Sequence, residues 1–130
     1  MKKFRRGLLV VMKPGKQMPY TPERGDIVWI DLDPSQGSEI RKTRPALVIS
    51  PFSYNKKVGL ALLCPITSHK KGYPFEVDLP SKGGDIVGVI LADQVKSLDW
   101  RVRKARFEEK VQESVITEVI DKLSVLIEIS

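Results

Sequence analysis

The chain has little of what disulfide or metal chemistry requires: among its 130 residues there is one cysteine, Cys64, and one histidine, His69. A lone cysteine excludes an intramolecular disulfide. Cys64 lies in the apolar run 60–66, where an unpaired thiol reads as a small buried hydrophobe of a reducing cytoplasm. A single histidine and scattered carboxylates match no metal-ligand spacing, so no metal and no other cofactor is expected. Long apolar stretches are missing as well. Lys2-Lys3-Phe4-Arg5-Arg6 followed by residues 7–12 imitates the start of an export signal, but the apolar part is too short for one. Nothing approaches the ~18 consecutive apolar residues of a membrane span, so a cytoplasmic protein with no membrane partner is expected. Internal repeats and low-complexity tracts are absent.

What is present suffices for one domain: 42% of the residues are hydrophobic, enough to bury one core in a chain of this length. The net charge is +6, yet residues 1–17 carry six basic and no acidic residues, so residues 18–130 are neutral. Distribution is more informative than the total. Residues 18–107 hold 14 Lys/Arg against 10 Asp/Glu, whereas residues 108–130 hold two against six. A basic body with an acidic end suits an anionic partner such as RNA, and ordinary solvated surface charge explains it nearly as well.

Residues 1–20 show no sustained period and are broken by Pro14-Gly15, so they read as a mobile extension, with the domain over 21–130. Met18, seven residues before Gly25, prompts the expectation that translation starts there and that the upstream segment is an artefact of start-site choice. Five strand-like runs bounded by turn residues follow, at 26–32, 46–50, 60–65, 75–79 and 86–92. Residues 75–79 alternate, as a half-exposed strand does; the other runs are near-continuous Val, Ile and Leu and should be buried on both faces. Short strands joined by turns favour a small barrel. Near the end the period changes: Val111, Val115, Ile116, Val119, Ile120, Leu123, Leu126 and Ile127 mark an amphipathic helix that should cover an open side of the barrel. Glu108-Glu109 are expected just before it, at the positive end of its dipole.

The longest irregular stretch between strands, residues 33–45, mixes Gly37, Ser38 and Glu39 with Arg41, Lys42 and Arg44. Such a loop can close over a phosphate. Arg44 stands out because Pro45 restricts the chain after it and the strand at 46–50 anchors it, giving a positioned guanidinium for bidentate phosphate binding. The plainer alternative is a surface arginine paired with an acid. A second candidate is Thr67-Ser68, where a buried strand ends in two hydroxyls that either donate to phosphate oxygens or cap a turn. Lys71 and Tyr73 nearby offer charge and a stackable ring for single-stranded RNA. His69 has the intrinsic pKa of a general base, but it sits among lysines with no carboxylate in evidence to orient it, and reads as a loop residue.

Taken together, Arg24-Gly25-Asp26-Ile27-Val28-Trp29, Asp33-Pro34 with Gly37-Ser38-Glu39, Arg44-Pro45-Ala46, Ser50-Pro51-Phe52 with Tyr54-Asn55, Pro65-Ile66-Thr67, Lys71-Gly72-Tyr73-Pro74-Phe75-Glu76-Val77 and Leu91-Ala92-Asp93-Gln94-Val95-Lys96-Ser97 resemble, in this order, the MazF branch of the MazF/PemK/Kid toxin endoribonucleases. The resemblance spans residues 24–128. It implies a mainly β fold, a small SH3-like barrel with a C-terminal α-helix, assembled as a homodimer. It implies metal-independent cleavage of single-stranded RNA, mostly mRNA, and a cognate antitoxin with a mobile acidic tail. By motif position the family's catalytic arginine falls on Arg44, its hydroxyl partner on Thr67 and its loop carboxylate on Glu39. The implied RNA-binding set is Gly37, Ser38, Ser68, Lys71, Tyr73 and Gln94. Kid-like relatives have a histidine where this chain has Ser38 and an arginine where it has Leu91, although Asp93 is kept, so their acid–base assignments are not carried over. A gyrase poison of the CcdB type shares the fold, but it depends on a tryptophan near the C-terminus, and this chain's tryptophans are Trp29 and Trp100. A non-catalytic SH3-like binding module is the remaining alternative.

Overall fold

The computed structural model describes residues 19–32, 42–80 and 86–129. The expected residues Gly37, Ser38 and Glu39, the segment 1–18 and the alternative start Met18 lie outside them. Within the described residues, β1 (Asp26–Asp31), β2 (Thr43–Val48) and β3 (Ala61–Thr67) form an antiparallel centre, and β7 (Arg106–Lys110) extends it from the far edge of β1. The expected double burial of this centre holds. Because side chains alternate across a strand, Ile27, Leu47, Cys64 and Ile66 enter one core cluster, while Val28, Ile30, Ala46, Val48 and Leu63 enter another with Trp100.

The bend in the sheet belongs to β3. Its first half pairs with β6 (Lys96–Leu98), and its last two residues pair with β5 (Val89–Leu91), which carries β4 (Glu76–Asp78) on its other side. Its ladder with β2 ends at Ala46↔Pro65. Beyond that pair, Arg44 of β2 and Thr67 of β3 line the same cleft.

Helix α2 (Glu113–Ile127) closes the first core cluster with Val115, Ile116 and Val119, and Lys122 Nζ donates to the Glu76 carbonyl at 2.8 Å. The apolar stripe is only partly used: Leu126 and Ile127 in the last turn are exposed. Glu108 and Glu109 precede the helix but do not stand at its N-terminal end as expected; they belong to β7, and the acidic residue of the first helical turn is Glu113. Short alternating strands carry a weak periodic signal, so β6 and β7 were not anticipated.

Nor was α1 (Phe52–Val58), a two-turn helix between β2 and β3. Its start has no side-chain cap, and it ends at Gly59, whose φ of 82° is one a side chain would resist. Tertiary bonds hold it instead. Asn55 is fully buried; its amide donates to the carbonyls of Pro22 (2.8 Å) and Ser50 (3.1 Å), and its side-chain oxygen accepts from Ser50 Oγ (2.5 Å). Trp100 Nε1 then donates to the Asn55 carbonyl at 3.0 Å. The Ser50-to-Asn55 motif is thereby accounted for as scaffold.

A second anchor joins the start of β1 to β7. Asp26 accepts from the Tyr20 hydroxyl (2.5 Å) and the Glu23 N–H (3.0 Å), and its other oxygen meets Lys110 Nζ at 3.0 Å. Burial, then Asp26, push the Tyr20 hydroxyl well above its ordinary pKa. For Lys110, burial pulls the ammonium down, but its bonds and charge pairing with Asp26 and Glu23 outweigh that and raise it overall.

Candidate active site

Two clefts meet at the end of β3. One, of about 470 Å³, is lined by Arg44, Thr67, Ser68 and His69 against the apolar walls of Trp29 and Leu32. The other, of about 500 Å³, is lined by Thr67, His69, Lys71, Tyr73, Asp93 and Gln94. Thr67 and His69 belong to both, so the clefts are neighbouring parts of one groove. Six of the nine expected site residues are therefore brought together: Arg44, Thr67, Ser68, Lys71, Tyr73 and Gln94. The other three, Gly37, Ser38 and Glu39, fall outside the described residues.

Arg44 lies within β2, opposite Ile30 of β1, rather than in the loop before a strand. The backbone under it is thus held by a ladder on the β1 side. Its side chain is exposed and takes part in none of the ion pairs among the described residues, which are Lys70–Asp78, Lys110 with Glu23 and Asp26, and Lys122–Glu118. An exposed, unpaired guanidinium beside hydroxyls is suited to an incoming phosphate.

Thr67 does both things its residue type allows at a strand end. Its Oγ1 accepts the His69 N–H at 3.1 Å, capping the turn, which leaves its own proton free to donate into the groove. Its position depends on Gly88. A Cβ there would lie 2.2 Å from the Thr67 carbonyl oxygen, and φ is +142°, so only glycine lets the chain before β5 pass this close. The cue available in the sequence was an isolated glycine inside an apolar run, which marks close backbone approach.

The turn bearing Lys71 and Tyr73 is organised by Glu76. This residue should face solvent by the alternation of 75–79, yet it is buried, because its carboxylate accepts the N–H groups of Lys71 (2.9 Å), Gly72 (2.9 Å) and Tyr73 (3.1 Å). Those backbone donors, Lys71 first, hold its carboxyl below the ordinary range. Two further residues line the groove: Trp29, which no sequence signal singles out as a site residue, and His69, which the sequence reads as a loop residue. Trp29 forms a wall of the first cleft, its indole pinned by Nε1–H donation to Glu108 at 2.8 Å, and His69 stands where the clefts meet. No carboxylate among the described residues is hydrogen-bonded to the His69 ring.

An antiparallel sheet with a terminal helix, carrying an open groove lined by Arg44, Thr67, Lys71 and Tyr73 together with Glu76 and Asp93, defines a small mainly β protein with a polar groove. Comparison with known proteins narrows the class. Residues 23–127 match the family described as PemK-like, MazF-like toxin of type II toxin-antitoxin system. The Endoribonuclease toxin MazF of Escherichia coli (strain K12) is 48% identical over 108 residues, covering 83% of this chain and 96% of that one. The crystal structure of MazF from Deinococcus radiodurans superposes with a TM-score of 0.76 at 46% identity, over 84% of this chain and 98% of that one. A MazE-MazF structure from the same organism gives 0.75 at 45% identity, over 86% and 100%. The chain belongs to the PemK-like, MazF-like family of type II toxin-antitoxin toxins, and its mainly β fold with a C-terminal helix is the one expected from the sequence.

Proposed function

We propose that the chain is an endoribonuclease toxin that cuts single-stranded RNA, mainly mRNA, at a short sequence and so arrests translation and growth. The observation that carries this reading is the convergence of Arg44 and Thr67 on one cleft, continuous with a groove bearing Lys71, Tyr73 and Gln94. The 48% identity to the endoribonuclease toxin MazF of Escherichia coli supports it.

The reaction assigned to this geometry is attack by a ribose 2′-hydroxyl on its own 3′-phosphate. A 2′-O–P bond forms and the P–O5′ bond breaks. The 2′ proton is lost and the departing 5′ oxygen gains one, leaving a 2′,3′-cyclic phosphate and a 5′-hydroxyl. The step calls for charge stabilisation and proton transfer, which side chains supply without a metal or other cofactor. Arg44 stabilises charge building on the phosphorane and assists the leaving oxygen; Thr67 donates to a non-bridging oxygen. Glu39 orients or deprotonates the 2′-hydroxyl. Gly37, Ser38, Ser68, Lys71, Tyr73 and Gln94 hold the strand, with bases unstacked against the Tyr73 ring.

The protein acts in the cytoplasm as a homodimer, its domain spanning 21–130 and its RNA groove shared between protomers. Its antitoxin is a protein with a mobile acidic tail that lies against the cations of that groove; the MazE-MazF structures of a similar toxin support such a partner.

The test is incubation of the purified protein, in EDTA, with a long single-stranded RNA beside Arg44→Ala and Glu39→Gln versions, mapping cuts and end groups. Cuts at one short motif with cyclic-phosphate ends, absent in Arg44→Ala, are expected. Intact RNA with the unaltered protein overturns the reading, and a single-turnover pH profile unchanged by Glu39→Gln removes the base role from Glu39.

A further inference from the structure

In the second cleft the Tyr73 hydroxyl donates to Asp93 Oδ2 at 2.6 Å, the length of a charge-assisted O–H···O⁻ bond. The other oxygen, Asp93 Oδ1, is buried and has no hydrogen-bond partner among the described residues. Were the Tyr73 proton to swing toward a ligand, the carboxylate would lose its one side-chain donor among the described residues, a charge-assisted bond about twice as strong as the neutral one gained. The proton is therefore committed to Asp93. What the phenolic oxygen offers the cleft is lone pairs alone, made stronger acceptors by the bond to the carboxylate. The ring is half-exposed and leans on Phe75 at 5.7 Å between centroids, and the Glu76-capped turn fixes its backbone. The hydrogen bond to Asp93, before any burial, also raises the Tyr73 pKa, so the hydroxyl stays protonated through the neutral range.

Resting on the RNA-cleaving reading above, we infer that Tyr73, held by Asp93 as an acceptor, is a specificity-determining residue that selects a nucleobase carrying an exocyclic amino group. Adenine, cytosine and guanine each present such a donor. Uracil presents only N3–H, flanked by two carbonyl oxygens that repel the polarised phenolic oxygen, and is disfavoured at that position.

The experiment is a double-mutant cycle with one arm in the RNA. Cut sites are first mapped for the unaltered protein and for Tyr73→Phe, which keeps the ring. In an oligonucleotide bearing the preferred site, each amino group is then replaced by hydrogen in turn: purine for adenine, 2-pyrimidinone for cytosine, hypoxanthine for guanine. At one position the change should lower kcat/KM about three- to tenfold for the unaltered protein, as loss of one hydrogen bond does. Tyr73→Phe should show the same fall on the intact site and no further fall on the altered one. Additive losses at every position, or uracil preferred at the position Tyr73→Phe relaxes, overturn the inference. So does coupling of Tyr73→Phe to a 2′-deoxy substitution in place of an amino group. Intact RNA with the unaltered protein is a different failure, that of the RNA-cleaving reading itself.

Discussion

Two polar clusters of this molecule use similar residues to opposite ends. Around Asp26, the groups Tyr20, Glu23 and Lys110 satisfy one another across the start of β1 and the end of β7. In the groove, Arg44 is exposed and unpaired among the described residues, and Thr67 has accepted one bond while keeping its proton. The first arrangement joins strands; the second holds donors ready for a ligand. Burial and satisfied bonding mark scaffold, whereas a fixed backbone under an unsatisfied side chain marks chemistry. The same division runs through the motifs that carry the family resemblance: Asn55, fully buried and bonded on both amide atoms, is scaffold, whereas Arg44 and Thr67 face the cleft.

The sharpest way to break this contrast is to delete one member of each side. Arg44→Ala should reduce the single-turnover cleavage rate by about 10²–10³, the effect of removing one transition-state donor. Its thermal midpoint should stay within about 1 °C, since an exposed side chain without a partner adds little to stability. Asn55→Ala should do the reverse. It leaves the Pro22 and Ser50 carbonyls without their donor and opens a void, at about 3 kcal/mol. Urea unfolding should show that loss as a lower midpoint at unchanged slope, while the folded fraction cuts RNA at the normal rate.

Gly88→Ala tests the point where scaffold and chemistry touch. The added methyl cannot stand beside the Thr67 carbonyl at this φ, so both properties should fall together: about 1–3 kcal/mol of stability, and a cleavage rate reduced at least tenfold through displaced Thr67. Normal cleavage with lowered stability would show that Thr67 is not held by this contact.

The smallest effect concerns acid. The Glu76 carboxyl is depressed in the folded state, so its contribution is present above its unfolded pKa, roughly 4.3, and is lost as pH falls through the lower folded value. Thermal melts of the native protein should steepen downward below about pH 4, and Glu76→Gln should be less stable at neutral pH with a flatter acid limb. Equal acid dependence in both proteins would remove Glu76 from the account of the turn that carries Tyr73.

Much of this architecture is legible in the amino-acid sequence. The apolar runs became β1, β2 and β3 because a strand buried on both faces has no polar alternation to hide it. The three-and-four spacing after Val111 became α2 because an amphipathic period is a long signal. Helix α1 escaped because seven residues hold no clear period and its stability comes from Pro22, Ser50 and Trp100, distant or outside the helix. Glu76 escaped because alternation assigns a glutamate to solvent unless the backbone folds back to give it donors.

By itself, then, the amino-acid sequence determined the kind of fold, the order of its main elements and the residue types available for phosphate chemistry, since propensity, period and motif are local properties of the chain. Only the tertiary structure decided which of those residues meet. The cleft that Arg44 of β2 shares with Thr67 of β3, the close passage of Gly88 and the Tyr73–Asp93 hydrogen bond all arise where separate segments of the chain are brought together, and no local pattern records them.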